Sequence, residues 1–123
     1  MFGRKKSNEI SLNRIHDTVT FRECDDRLTL KVYADPMRVT AGLLRVRRQM
    51  QNITEESPMD EQIAAAREMA VVLFGEDQAD KLMEFYHNDP PGVLNVCLQY
   101  FHQRLSKRLV KAQKREKLAA DGK

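Results

Sequence analysis

The chain has no tryptophan, two cysteines and five glycines, and each scarcity removes a class of protein. Cys24 and Cys97 lie far apart in sequence, without the paired spacing of a zinc ribbon or a redox motif, so they read as reduced thiols. The glycines stand singly at positions 3, 42, 75, 92 and 122, so no glycine-rich loop can cradle a nucleotide phosphate. The longest purely apolar run, Met69–Phe74, is six residues, far short of a bilayer span. The first nine residues are polar and basic and lack the apolar stretch of a secretory signal. These features predict a cytoplasmic protein with no membrane segment.

The same scarcity extends to chemistry. His16, His87 and His102 fall in three separate segments, and the Cys97–His102 spacing is wrong for chelation from one helical face. There is no Gly-x-Ser-x-Gly elbow and no His-Glu-x-x-His. The adjacent carboxylates Asp25-Asp26 and Glu55-Glu56 are better explained as a turn and as loop solvation. The sequence therefore predicts no catalytic residue, no metal and no cofactor.

What is abundant is charge, and it is arranged in blocks. Residues 1–58 carry 11 Lys/Arg against 8 Asp/Glu, residues 59–90 carry 2 against 8, and residues 91–123 carry 8 against 2. Such blocks mark surfaces for other macromolecules, for self-association, or an acidic helix lying against a basic one inside the fold.

Hydrophobic periodicity predicts an α+β, mostly α fold. Thr18–Cys24 and Arg27–Tyr33 alternate apolar and polar residues around Asp25-Asp26, as in an antiparallel hairpin whose paired positions sum to 51. Phe21 would then oppose Leu30, and Val19 would oppose Val32. About four helices follow, the last long and basic. Asp35-Pro36, Ser57-Pro58 and Asp89-Pro90 read as helix starts, and Gly75 as a left-handed stop. The last helix carries Leu94, Cys97, Leu98, Phe101, Leu105 and Leu109 at helical spacing, a stripe expected to be structural up to Leu105. The organisation expected is a basic arm over 1–9, one globular domain over 10–110 and a solvated basic extension over 111–123. Asn8–Leu12 alternates weakly, as a short strand would.

Two binding classes fit this frame. The cations at 104, 107, 108, 111, 114, 115 and 117 could serve a small nucleic-acid-binding or regulatory protein. Alternatively, an apolar stripe flanked by cations could recognise a partner helix, through Leu105, Lys107, Arg108, Leu109, Val110 and Lys111. A helix-turn-helix about Gly75 is disfavoured, because the following helix opens with Glu76, Asp77 and Asp80 and would be repelled by phosphates.

One stretch carries a resemblance. Leu73-Phe-Gly-Glu-Asp-Gln-Ala-Asp-Lys-Leu-Met-Glu-Phe-Tyr86, then Asn88-Asp-Pro, Val93–Phe101 and Ser106–Lys114, resembles the small tail assembly chaperones of long-tailed, siphovirus-type bacteriophages. The likeness covers roughly residues 60–117. It implies a non-enzymatic protein that keeps the long helical tape-measure protein soluble while tail-tube subunits assemble around it. The partners so implied are the tape-measure protein and the tail-tube protein. Self-association is expected too, and nucleic acid is the less favoured partner. The family supplies no catalytic residues, so the partner-binding residues above rest on exposure and charge alone.

Overall fold

The computed structural model describes residues 14–112. The expected arm at 1–9, the weak alternation at Asn8–Leu12 and the extension from 113 onward lie outside them. Two antiparallel strands, β1 (Ile15–Glu23) and β2 (Asp26–Ala34), are followed by α1 (Pro36–Met50), α2 (Met59–Phe74), α3 (Glu76–Phe85) and α4 (Pro90–Tyr100). The last helix continues through a π-helical turn at Phe101–Leu105 and runs on as α-helix over 106–112. The architecture is α+β and mostly α, as the sequence predicts.

The hairpin register differs from the expected one. Paired positions sum to 49, the loop is Cys24-Asp25, and Cys24 takes a φ of 55°. Slipping by two residues leaves every side chain on its predicted face, because strand side chains alternate with period two. The slip also places Phe21 against Leu28 and Val19 against Leu30, where the expected register would have set Leu28 against Glu23. Four apolar residues of β2 thereby lie opposite the inward face of β1. On the outward face the hydroxyls of Thr20 and Thr29 meet at 3.0 Å.

Asp35 caps α1 as expected, its Oδ1 accepting the Met37 amide at 3.1 Å, with Pro36 in the first turn. Ser57 is not the cap of α2. Its hydroxyl instead accepts the Thr54 amide at 2.9 Å within the loop, and Pro58 flanks the helix without a side-chain cap. Gly75 ends α2 and begins α3 at φ 87°, ψ 164°, outside the left-handed helical region and open only to glycine.

α2 is the central element, packing against α1, α3, α4 and β2. Gly42 lets α1 approach it closely, since a Cβ there would stand 2.9 Å from a Val72 methyl. The core runs from Val39 and Val46 through Ala66, Ala70 and Leu73 to Leu82, Val93, Cys97 and Leu105. Beneath the hairpin it becomes aromatic: Phe21 meets Phe74 edge-on at 5.6 Å, and Phe74 meets Tyr100 at 5.4 Å.

Side chains close the hairpin's outer edges. The Gln78 amide straddles Lys31, accepting from its N–H at 2.9 Å and donating to its carbonyl at 2.6 Å, as a neighbouring strand would. Gln78→Ala leaves both groups to water and should lower stability by about 1–2 kcal/mol in urea denaturation. On the other edge, Tyr86 donates to the Arg22 carbonyl at 3.0 Å, and Arg108 to the His16 carbonyl at 2.8 Å.

Candidate functional site

α1 and the last helix both rest on α2, and between them lies an open groove of about 740 Å³. Its α1 wall is Leu43, Leu44, Arg47 and Met50, and Met69 of α2 forms the floor. The opposite wall is Leu98, Phe101 and His102, then Ser106, Leu109 and Val110. Leu44 at 53%, Leu98 at 42% and Val110 at 51% exposure turn apolar side chains to water along both walls. That is unusual concentration: three of the six exposed large apolar residues among the described ones share this groove.

The π-helical turn sets the second wall. In an α-helix, positions four apart advance by about 40° around the axis, so a row of fours drifts off its face. A wider π turn, closed here by the Ser106 amide on the Phe101 carbonyl, turns the row back. Tyr100, Arg104 and Arg108 consequently all face the hairpin, while Phe101, Leu109 and Val110 line the groove.

What holds the last helix in this setting is Asp17, a residue the sequence reading did not single out. Its side chain is only 4% exposed. It accepts the Arg104 Nη2–H at 2.7 Å and Nε–H at 2.9 Å, the Tyr100 hydroxyl at 3.2 Å and the Thr18 amide at 2.9 Å. The Arg108 guanidinium adds its charge from 3.6 Å. Burial pushes the Asp17 carboxyl up, but the Arg104 hydrogen bond, the Thr18 amide and the two arginine charges outweigh it and hold it below the usual range. Burial also raises the Tyr100 hydroxyl, with the Asp17 charge adding to it, so the phenol stays a donor.

The predicted binding residues are placed unequally. Val110 lines the groove, and Lys107 and Lys111 stand exposed beside it around a second cavity of about 460 Å³. Leu109 is nearly buried but reaches the groove wall. Arg108 borders the second cavity while committed to His16 and Asp17. Leu105 is fully buried and belongs to the core, because the π turn brings it inward. Phe101, expected within the structural stripe, is half-buried at the groove. Leu43, Leu44 and Leu98 were missed as surface residues. An α1 stripe two residues wide, Leu43-Leu44, is the sequence signal that could have revealed them.

No protein-family model matches this sequence, and no curated protein or solved structure matches it either. Among the described residues no three His, Cys, Asp or Glu side chains gather as metal ligands, and no helix is long and apolar enough to cross a membrane. Cys24 is exposed at the hairpin tip, whereas burial pushes the Cys97 thiol up to about 12.

Among the described residues the acidic block at 59–90 and the basic block from 91 onward do not pair with each other. Among the described residues, Arg104 and Arg108 pair with Asp17 of the hairpin, and Arg67 pairs with Asp80 inside the acidic block. No ion pair joins residues 59–90 to the basic block there.

Proposed function

We propose that this chain is a non-enzymatic tail assembly chaperone of a long-tailed, siphovirus-type bacteriophage, working in the cytoplasm of the bacterial host. In this reading its groove holds one amphipathic helix at a time of the tape-measure protein until tail-tube subunits enclose it. The observation that carries the reading is the groove itself, long, apolar on both walls and open to water. Helix-in-groove recognition asks for such a trough with apolar anchors spaced along each side. Arg47 on one wall, and Lys107 and Lys111 beside the other, favour a helix with acidic flanks, since among the described residues no carboxylate lines either cavity. Met50 and Met69 supply side chains that adapt to varied sequence along a long partner. Single contacts of this kind are weak, and retention comes from many copies on one chain.

The acidic residues of α3, of which only Asp80 is paired among the described residues, and the cations of the last helix also favour head-to-tail self-association, which sedimentation at low and high salt tests directly. The nucleic-acid reading is weakened by Asp17, which occupies two of the four cations that the described part of the last helix carries.

The deciding experiment is co-expression with a tape-measure protein. The wild-type chain should keep it soluble, and Leu98→Asp with Val110→Asp should abolish that rescue while leaving the melting temperature within a few degrees, both side chains being exposed. Direct binding of a tape-measure peptide should fall at least tenfold in that variant and change little between low and moderate salt. Rescue that survives the double substitution overturns the groove as the site. Steep salt dependence with equal binding of an oligonucleotide favours the nucleic-acid reading.

A further inference from the structure

A separate cavity, of about 290 Å³, lies away from the groove where the end of β2, the start of α1 and the α2–α3 junction meet. Three guanidinium-bearing residues line it: Arg14, Arg38 and Arg45. Among the described residues the Nε–H of Arg14 is buried without a hydrogen-bond partner, which leaves this guanidinium incompletely satisfied. The Arg14 guanidinium carbon stands 5.0 Å from the Tyr33 ring centre, so the cation is fixed over the aromatic face. Among the described residues Arg38 makes no hydrogen bond or ion pair. Arg45 reaches Glu68 only at 3.7 Å, in an exposed pair.

Among the described residues the sole carboxylate in the lining, Asp35, is spent on capping α1 through its Oδ1 and is not ion-paired to any of the three. Gly75 lines the same cavity and opens α3, whose first N–H groups lack a side-chain cap. Glu76 and Asp77 follow in that turn without lining the cavity. The lining residues thus sum to plus two, with the Arg45 charge also facing Glu68, around a space too small for a macromolecule.

We propose that this cavity binds a phosphate dianion, either free or as the end of a small phosphomonoester, held chiefly by Arg14 and Arg38. A guanidinium fork matches the spacing of phosphate oxygens, and Arg14 and Arg38 would each present one. A dianion balances the excess charge, which a single carboxylate would leave half uncompensated. Arg38 and Arg45 are seven residues apart on one face of α1, with Gly42 between them.

The test is an amide NMR titration of the full chain with inorganic phosphate, at ionic strength held constant by chloride, then with glycerol phosphate. The expected result is saturable shifts at Tyr33, Gly42 and Gly75 in the low-millimolar range. Arg38→Gln with Arg45→Gln should weaken the affinity at least tenfold, and Arg14→Lys, which keeps the charge but loses the planar fork, should weaken it several-fold. Saturation by both ligands identifies a monoester end as acceptable, and saturation by inorganic phosphate alone identifies the free ion. Linear shifts spread over every basic patch, or an unchanged response in the double variant, overturn the site. So does tighter saturation by a single-stranded oligonucleotide that extends to Lys107 and Lys111. Leu98→Asp with Val110→Asp leaves this binding intact, so the result stands apart from the groove's role.

Discussion

Leu105→Ala should lower stability by about 3–4 kcal/mol, the largest loss expected from any single substitution in the last helix. Leu105 has 0% exposure and sits where the π turn presses the helix onto the core. Removing its terminal carbons leaves a void that the wider π geometry cannot close without unwinding. For a domain of this size the melting temperature should fall by roughly 15 °C. Lys111→Ala, an exposed change six residues on, should stay within about 0.5 kcal/mol. Chemical denaturation of both variants checks the contrast. A loss under about 1 kcal/mol for Leu105→Ala would return that side chain to the surface and restore it as a binding residue.

Asp17→Asn should cost about 2 kcal/mol, because the amide turns an NH2 group toward donors that need an acceptor. Its pH signature is more telling than its size. The folded carboxyl is held below its ordinary value of 3.8, so the carboxylate's contribution is fully present above that value. It is lost as pH falls through the lower, folded value. Wild-type stability should therefore decline below about pH 4 with a component that Asp17→Asn lacks. Thermal melts of both proteins between pH 2 and pH 7 measure it. Parallel curves would show that the carboxylate titrates normally in the fold. In a double-mutant cycle with Arg104→Gln the losses should overlap rather than add, since both remove one interaction.

Much of the fold could be read from one-dimensional patterns, and the reasons are local. The faces of the hairpin follow from alternation, which a two-residue slip leaves intact. The loop position did not follow, because Asp25-Asp26 and Cys24-Asp25 are both mediocre turns and only packing distinguishes them. Helix starts at Asp35 and Asp89 were legible because proline in the first turn is a strong marker. Ser57 carried the same marker and took another partner.

The candidate site was less legible. Asp17 meets Arg104 and Arg108 across 87 and 91 positions, and no periodicity reports contacts that distant. The π turn was hidden because Phe101, Leu105 and Leu109 fit an α-helical stripe equally well, although only Leu105 and Leu109 turn out buried. Likewise, a groove is a property of two helices held apart by a third, and single-helix stripes describe only its walls.

The side chains that close the hairpin's edges carry a consequence for how copies of this protein can meet. A two-stranded sheet ordinarily offers two rows of unpaired amides and carbonyls, a template on which further strands deposit. Here Gln78 occupies one row at Lys31, while Tyr86 and Arg108 occupy the other at Arg22 and His16. An incoming strand would have to displace hydrogen bonds already made, and it would find only a short interval free between the two plugs. Growth by strand addition, the common route from small β-units to fibres, is obstructed at both borders. Strand addition to the described hairpin therefore has to compete with side-chain hydrogen bonds, which favours contacts between copies through helical faces.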